Sequence, residues 1–206
     1  METINFFNII DELPKTNPGL YRNLEVFEYT IAVKKRLLSI PREGMKELVA
    51  YMVDIGYFTS AGSTRFHGNY KGGLISHSVN LYKLYNKLLE QSEVEFDDNS
   101  QFLCAILHDL CKAGAYIENG INYKWNPSQP SGHALLSLER IKKFIKLTDT
   151  EEKIIKYHMG MYGTVEFNEK GEYILKELVG AFNNRIVKLF YFCDDIVSQF
   201  VDKKKG

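Results

Sequence analysis

The stretch FLCAILHDLCKAGAY, residues 102–116, places a histidine and an aspartate side by side within an apolar run. Cys104 and Ala105 precede His108 by four and three residues, so the spacing puts them on the same buried face of a helix. Asp109 stands in the same relation to the apolar residues before it. A buried carboxylate is costly unless it is paired with a cation or bound to a metal. The stretch therefore predicts a polar centre inside a helical core, with capping or pairing to a buried arginine as the alternative for Asp109.

The composition favours one globular domain without a strong electrostatic field. The chain has 206 residues, of which 45% are hydrophobic and 25% charged. Lys plus Arg and Asp plus Glu number 26 each, so no net charge attracts nucleic acid or a membrane surface. The three cysteines form no CxxC pair and are predicted to be reduced core residues. Without a signal-peptide pattern or a bilayer-spanning run, we expect a cytoplasmic protein that does not bind membranes.

The apolar spacing is helical along nearly the whole chain, which predicts an all-α bundle. Residues 1–64 are predicted to be a helical extension packed on a helical domain of residues 65–206. Loops are expected at 56–73 and 119–132, and a small β-hairpin at 162–173. Helices are expected at about 3–13, 20–39, 41–55, 73–91, 97–112, 132–146, 148–160, 172–182 and 185–202.

Near the C-terminus, the adjacent acids Asp194 and Asp195 are predicted to lie on different faces of one helix. Val187, Phe190 and Val197 stand seven, four and three residues from Asp194, so all four residues share an apolar face. Asp195 aligns instead with polar positions. We therefore expect Asp194 to point into the core, where it needs a cation, and Asp195 to stay in solvent.

The remaining histidines also fall near helix ends or on inner faces. His77 shares a face with leucines, His133 opens a predicted helix, and His158 follows two isoleucines. Each of these alone is more typical of a core or capping histidine. Together with His108 and the inward acids, they predict a metal centre with ligands from five helices. Imidazole and carboxylate ligands suit Fe, Mn, Zn, Co or Ni.

The order of these residues resembles the HD-domain superfamily of metal-dependent phosphohydrolases over roughly residues 65–200. The most specific piece is AILHDLCKAG at 105–114, which is similar to the family signature LLHDIGK. GGLISHSVNLYKL at 72–84 resembles the helix that carries the first histidine, and FCDDIVSQ at 192–199 resembles the closing helix. The HGNYKGGLISH segment is also similar to bacterial 3'-to-5' exoribonucleases of this superfamily.

The resemblance implies a fold, a cofactor and a ligand set. It implies an HD-domain-like helical bundle that binds two divalent transition metal ions. One ion would be bound by His77, His108, Asp109 and Asp194. The second would be bound by His133 and His158 and bridged by Asp109.

Further residues are candidates for contact with a phosphorylated substrate. Lys112 lies one helical turn after His108 and is predicted to neutralise a phosphate oxygen or the leaving group, with a carboxylate-paired lysine as the alternative. Arg65, His67 and Lys71 lie in a glycine-rich loop and are predicted to contact phosphate, or to be plain surface residues. Trp125, with Tyr123, either stacks a base or packs against the protein.

Three functions remain open at the level of sequence. The first is hydrolysis of a phosphate ester by metal-activated water, with a nucleotide or short oligonucleotide as substrate and Asp109 and Lys112 as catalytic residues. The second is a di-iron oxygenase activity, which the resemblance allows because a few HD proteins with a similar ligand set have it. The third is a non-catalytic binding module.

Overall fold

The computed structural model describes residues 18–64, 68–120, 122–130, 133–160 and 172–202, with side chains from Arg22 in the first helix and from Glu177 in the seventh. The helix predicted at 3–13 lies outside these residues, as does nearly all of the hairpin predicted at 162–173. Among the described residues, no helix is both long enough and apolar enough to cross a membrane.

The described residues form eight α-helices and one two-stranded hairpin, so the predicted all-α class with a small hairpin is confirmed. The helices are α1 Pro18–Ser39, α2 Met45–Asp54, α3 Gly73–Gln91, α4 Asp98–Leu107, α5 His133–Lys142, α6 Asp149–Tyr157, α7 Glu172–Phe182 and α8 Arg185–Ile196. Short 3-10 turns cover Tyr57–Thr59 and Leu110–Lys112, and a π-helical turn covers Val197–Val201.

Two helix starts follow the capping signals of the sequence. The Asp97 side chain accepts a hydrogen bond from the backbone N–H of Ser100 at 2.8 Å, which caps α4. Thr148 and Glu151 form the capping box predicted for α6. Pro41 does not open a helix as predicted, because α2 begins only at Met45, after a turn with Gly44 in the left-handed region.

The hairpin lies where a loop was predicted. β1 Tyr116–Asn119 and β2 Asn122–Trp125 pair antiparallel, with Tyr116 opposite Trp125 and Asn119 opposite Asn122. The strands are mostly exposed. Their sequence therefore lacks the sustained alternation of buried apolar and exposed polar residues that predicts a half-buried strand. The loop prediction for residues 119–132 was therefore wrong for its first part.

The described residues of the segment predicted as one long loop, 56–64 and 68–73, are partly buried and pack against neighbouring helices. The Tyr57 hydroxyl lies 2.9 Å from Ser78 Oγ and donates to the backbone carbonyl of Ile106, which joins this segment to α3 and α4. A Cβ on Gly73 would lie 1.9 Å from the carbonyl oxygen of Gly68. These glycines thus allow two backbone segments to touch at the start of α3.

The two N-terminal helices share one core with the rest of the molecule. Leu37 of α1 and Leu48 of α2 are fully buried in the same hydrophobic cluster as Leu74 and Ile106. Arg42, in the turn between these helices, makes two 2.9 Å hydrogen bonds to the buried carboxylate of Glu151 on α6. The apolar contacts and this ion pair attach the extension to the helices that carry the histidines.

Candidate metal centre

All six predicted ligands meet in one buried cluster. His77 comes from α3, His133 begins α5, and His108, Asp109, His158 and Asp194 lie at or near the ends of α4, α6 and α8. Three overlapping groups each have ligand atoms within 4.8 Å of one another: His77 with His108 and Asp194, His108 with Asp109 and His158, and Asp109 with Cys111 and His133. The six residues thus lie together as predicted, while their role as metal ligands stays a prediction.

Two of the histidines are oriented in the same way by the helix they follow. His108 and His158 are the first residues after α4 and α6, where the last carbonyls lack helical partners. The Nδ1 of His108 lies 2.9 Å from the carbonyl of Ala105, and the Nδ1 of His158 lies 2.7 Å from that of Ile155. Because a carbonyl can only accept, each Nδ1 carries the hydrogen, and each Nε2 lone pair points into the cluster.

Asp109 lies between the two groups of ligands. Its Oδ2 is 3.2 Å from Nε2 of His108, while its Oδ1 is 3.2 Å from Nε2 of His133 and 3.4 Å from that of His158. The helix predicted through about residue 112 ends instead at Leu107, and Asp109 has left the helical conformation (φ −105°, ψ 23°). This break turns the two oxygens toward different histidines.

Helix α5 holds the backbone just after Asp109 in place. Ser137 Oγ accepts from the backbone N–H of Cys111 at 3.0 Å, and Arg140 donates to the carbonyls of Leu110 and Cys111. With His133, these residues have the spacing i, i+4, i+7 of one helix face. Sequence reasoning missed Ser137 and Arg140, although this spacing was readable.

Cys111 is not simply an apolar core residue. Its sulfur lies 3.3 Å from Nδ1 of His133, so it contacts the edge of the metal cluster. Burial raises the pKa of this thiol to about 12. Cys111 is therefore a neutral thiol that orients the His133 ring, and it is also near enough to contribute sulfur to a metal site.

The sequence reasoning also missed Asp202 as a neighbour of the cluster. Its Oδ2 accepts from Nδ1 of His77 at 2.6 Å, and its Oδ1 accepts from Asn80 at 2.8 Å. In a continuous α-helix, Asp202 would be rotated by about 80° from Asp194, eight residues earlier. The π-helical turn at Val197–Val201 rotates less per residue and brings both acids to His77. A histidine held by a carboxylate at its far nitrogen is typical of metal ligands.

Asp194 and Asp195 separate as predicted. Asp194 Oδ1 lies 3.0 Å from Nε2 of His77 and 3.9 Å from Nε2 of His108, with 14% of its side chain exposed. Asp195 is exposed. The face assignment from the apolar spacing of α8 is confirmed.

The pKa shifts show that the cluster attracts positive charge. Burial opposes a charge on His77, but Asp194 and Asp202 outweigh it and raise the pKa of His77 to about 10. Burial likewise opposes the charge of Asp109, yet the Lys112 ammonium holds the pKa of Asp109 well below its usual range. Burial lowers the pKa of His108, against the opposing effect of Asp109, and keeps its imidazole neutral.

Several buried atoms of the cluster fit a metal better than they fit each other. Among the described residues, Nε2 of His108, Nε2 of His158 and Oδ1 of Asp109 have no hydrogen-bond partner. Orphaned polar atoms in a core are costly, and all three atoms here are of the types that bind metal ions in proteins. The described His, Asp and Cys groups lie within metal-binding distance, which is compatible with a divalent metal.

The predicted substrate residues have different outcomes. Lys112 is buried and its Nζ lies 2.6 Å from Asp109 Oδ2, so the carboxylate-paired alternative is what the structure shows. Lys71 is exposed in a groove with Phe27 and Phe58 and is not brought to the metal cluster. Arg65 and His67 lie outside the described residues. Phosphate contact by these three loop residues stays a prediction.

Comparison with protein-family models, with curated proteins and with solved structures finds no significant match to this chain. The resemblance of its motifs to the HD-domain superfamily therefore stays a prediction, independent of the cluster geometry described above.

Proposed function

We propose that this protein is a metal-dependent phosphohydrolase of the HD-domain type, located in the cytoplasm, which hydrolyses a phosphate ester of a nucleotide or short oligonucleotide. The observation that supports it best is Asp109, a buried carboxylate whose two oxygens face two different sets of histidine nitrogens. A carboxylate in that position suits a site for two ions. His77, His108, Asp109 and Asp194 would hold one ion, and Asp109, His133 and His158 the other.

Divalent ions in such a site supply Lewis acidity and lower the pKa of bound water toward neutrality. The residues of the chain prepare the site for them. The hydrogen bonds from Nδ1 of His108 and His158 keep the ligand nitrogens pointed inward. Asp202 and Asn80 do the same for His77. Reorganisation on binding is therefore small for these three rings.

Lys112 would act in this site through its contact with Asp109. Its ammonium lies 2.6 Å from the oxygen of Asp109 that faces His108 and donates a hydrogen bond to it. There it orients that carboxylate and offsets part of the negative charge when an anionic phosphate enters. His133 and Asp194 are the most exposed of the ligands, with side chains 26% and 14% exposed, so a substrate would enter on their side.

The test begins with metal content. Chelator-treated protein is reloaded with Mn, Fe, Ni, Co or Zn, and bound metal is counted by mass spectrometry. The loaded forms are then assayed on nucleotides, cyclic dinucleotides and short RNA. We expect metal binding and release of a phosphate ester product. Wild-type protein that binds no metal, or Asp109→Ala protein that binds as much metal as wild type, would overturn the proposal.

The same assays separate the two alternatives. Turnover that requires oxygen and responds to the redox state of iron, with no activity in Mn, would identify an oxygenase. Metal binding without turnover of any phosphate ester, combined with tight binding of a nucleotide, would favour a binding module.

A further inference from the structure

A groove of about 600 Å³ opens between the β-hairpin and the segment that precedes α3. It is lined by Thr64, Asn69, Asn122, Tyr123, Lys124 and Trp125. None of these residues belongs to the metal cluster. The metal centre therefore does not account for the side chains that line this groove.

Tyr116 lies between Trp125 of the groove and the turn that carries Lys112. Tyr116 pairs with Trp125 across the hairpin, and the two ring centroids are 5.9 Å apart. Along the chain, Tyr116 follows Lys112 by four residues. In the turn between them, the Ala115 N–H donates a hydrogen bond to the Lys112 carbonyl. Lys112 in turn lies 2.6 Å from Asp109 Oδ2. The ring contact between Trp125 and Tyr116 and the short turn from Tyr116 back to Lys112 thus connect the groove to the cluster.

The side chains of the groove are poorly explained by packing alone. Trp125 is 46% exposed on a hairpin that is itself mostly exposed. Asn69 has a buried Oδ1 without a hydrogen-bond partner among the described residues, and such an acceptor requires an N–H donor. Lys124 adds an exposed cation.

An aromatic face, an amide acceptor and a cation together match one kind of ligand. Nucleobases stack on aromatic side chains, and their exocyclic amines and ring N–H groups are donors that an asparagine amide can accept. A lysine at the edge suits the phosphate of the same or the next nucleotide.

We propose that this groove is the base-binding subsite of the metal centre: the base stacks on Trp125 and donates to Asn69, while its phosphate reaches toward Lys112 and Asp109. This inference rests on the proposed function, since it identifies the substrate as a nucleotide rather than a base-free phosphate ester.

Trp125 is the only tryptophan of the chain, so its fluorescence reports on this groove directly. Chelator-treated wild-type protein is titrated with adenosine 5'-monophosphate and, in parallel, with ribose 5-phosphate, which lacks the base. We expect saturable quenching by the nucleotide and binding at least tenfold weaker for the sugar phosphate. Free tryptophan amide corrects for absorbance of the base.

Calorimetry then compares variants under the same metal-free conditions. Trp125→Ala should weaken nucleotide binding about tenfold, as expected for loss of one stacking partner. Asn69→Ala should weaken it several-fold, and Trp125→Phe should lose less than Trp125→Ala. Phe192→Ala, which removes an exposed aromatic ring in a different groove, should bind as wild type does.

Two results would overturn the subsite: equal affinity for the nucleotide and the sugar phosphate, or unchanged nucleotide binding in both Trp125→Ala and Asn69→Ala. In a separate measurement, every variant is reloaded with metal, and its metal content should equal that of the wild type. A protein that binds metal but not the nucleotide would contradict the subsite alone, whereas a protein that binds no metal would contradict the proposed function.

Discussion

Asp202 accepts a hydrogen bond from Nδ1 of His77 at 2.6 Å, across 125 residues of chain, and thereby directs the opposite nitrogen of that ring at Asp194. Among the described contacts, Asp202 contacts His77 but none of the other five candidate ligands. In the proposed metal site, Asp202 would position His77 and make its imidazole a stronger donor to the metal.

The first prediction concerns this positioning role. Asp202→Asn should lower the affinity for the divalent metal by about 10- to 100-fold, because it removes the anionic acceptor of His77. Competition with a metal-sensitive dye measures the change. Asp195→Asn is the matched control, since Asp195 is a nearby acid that is exposed. Equal affinities in both variants would contradict the role of Asp202.

The second prediction concerns the ligands themselves. Asp109→Ala and Asp194→Ala should each remove metal and turnover, because each deletes a carboxylate that faces the orphaned or charged nitrogens of the cluster. Asp195→Ala should retain both. Metal content per chain and turnover of the best substrate are the measurements. An Asp195→Ala protein that binds no metal would contradict the assignment of Asp194 as the ligand from α8.

The third prediction separates Lys112 from the metal. Lys112→Met should lower the free energy of unfolding of the metal-free protein by about 3 kcal/mol, because it leaves Asp109 buried beside fewer cations. Added divalent metal should restore most of this loss, since the metal replaces the missing charge. Denaturant unfolding with and without metal measures the difference.

The matched control for this experiment is Lys71→Met, which alters an exposed lysine and should change the free energy of unfolding by less than about 0.5 kcal/mol. A loss in Lys112→Met that is the same with and without metal would mean that Lys112 stabilises the fold independently of the cluster.

The fourth prediction concerns the ion pair between Arg42 and Glu151. Burial opposes the charge of Glu151, but hydrogen bonds from Arg42 outweigh it and lower the pKa of Glu151. A lowered folded-state pKa means that the pair stabilises the protein above the unfolded pKa of about 4.3. This contribution is lost as the pH falls from there through the folded-state pKa.

Arg42→Ala should therefore cost about 3 kcal/mol near neutral pH, and the difference from wild type should shrink as the pH falls below about 4. Lys142→Ala breaks a pair whose side chains are 50% and 36% exposed and should cost less than about 1 kcal/mol. Unfolding curves across this pH range test both. A difference that stays constant with pH would contradict the linkage.

The sequence by itself determined the helical class and most of the residues that form the His/Asp cluster. Apolar spacing indicated the long helices, and capping residues such as Asp97 and Thr148 indicated where two of them begin. The same spacing separated Asp194 from Asp195, because a helix of regular pitch turns adjacent residues by about 100°. Local rules of this kind are readable wherever the backbone stays regular.

Only the tertiary structure decided the features that depend on irregular backbone or on distant partners. Asp202 joins His77 because a π-helical turn changes the rotation of the chain after Ile196, which no apolar pattern signals. Lys112 turns to Asp109 because the helix breaks at Leu107. The hairpin formed on exposed residues whose pairing no hydrophobic alternation encodes. In each case, contacts between residues that are distant in the sequence stabilise the arrangement. The spacing of neighbouring residues therefore does not predict it.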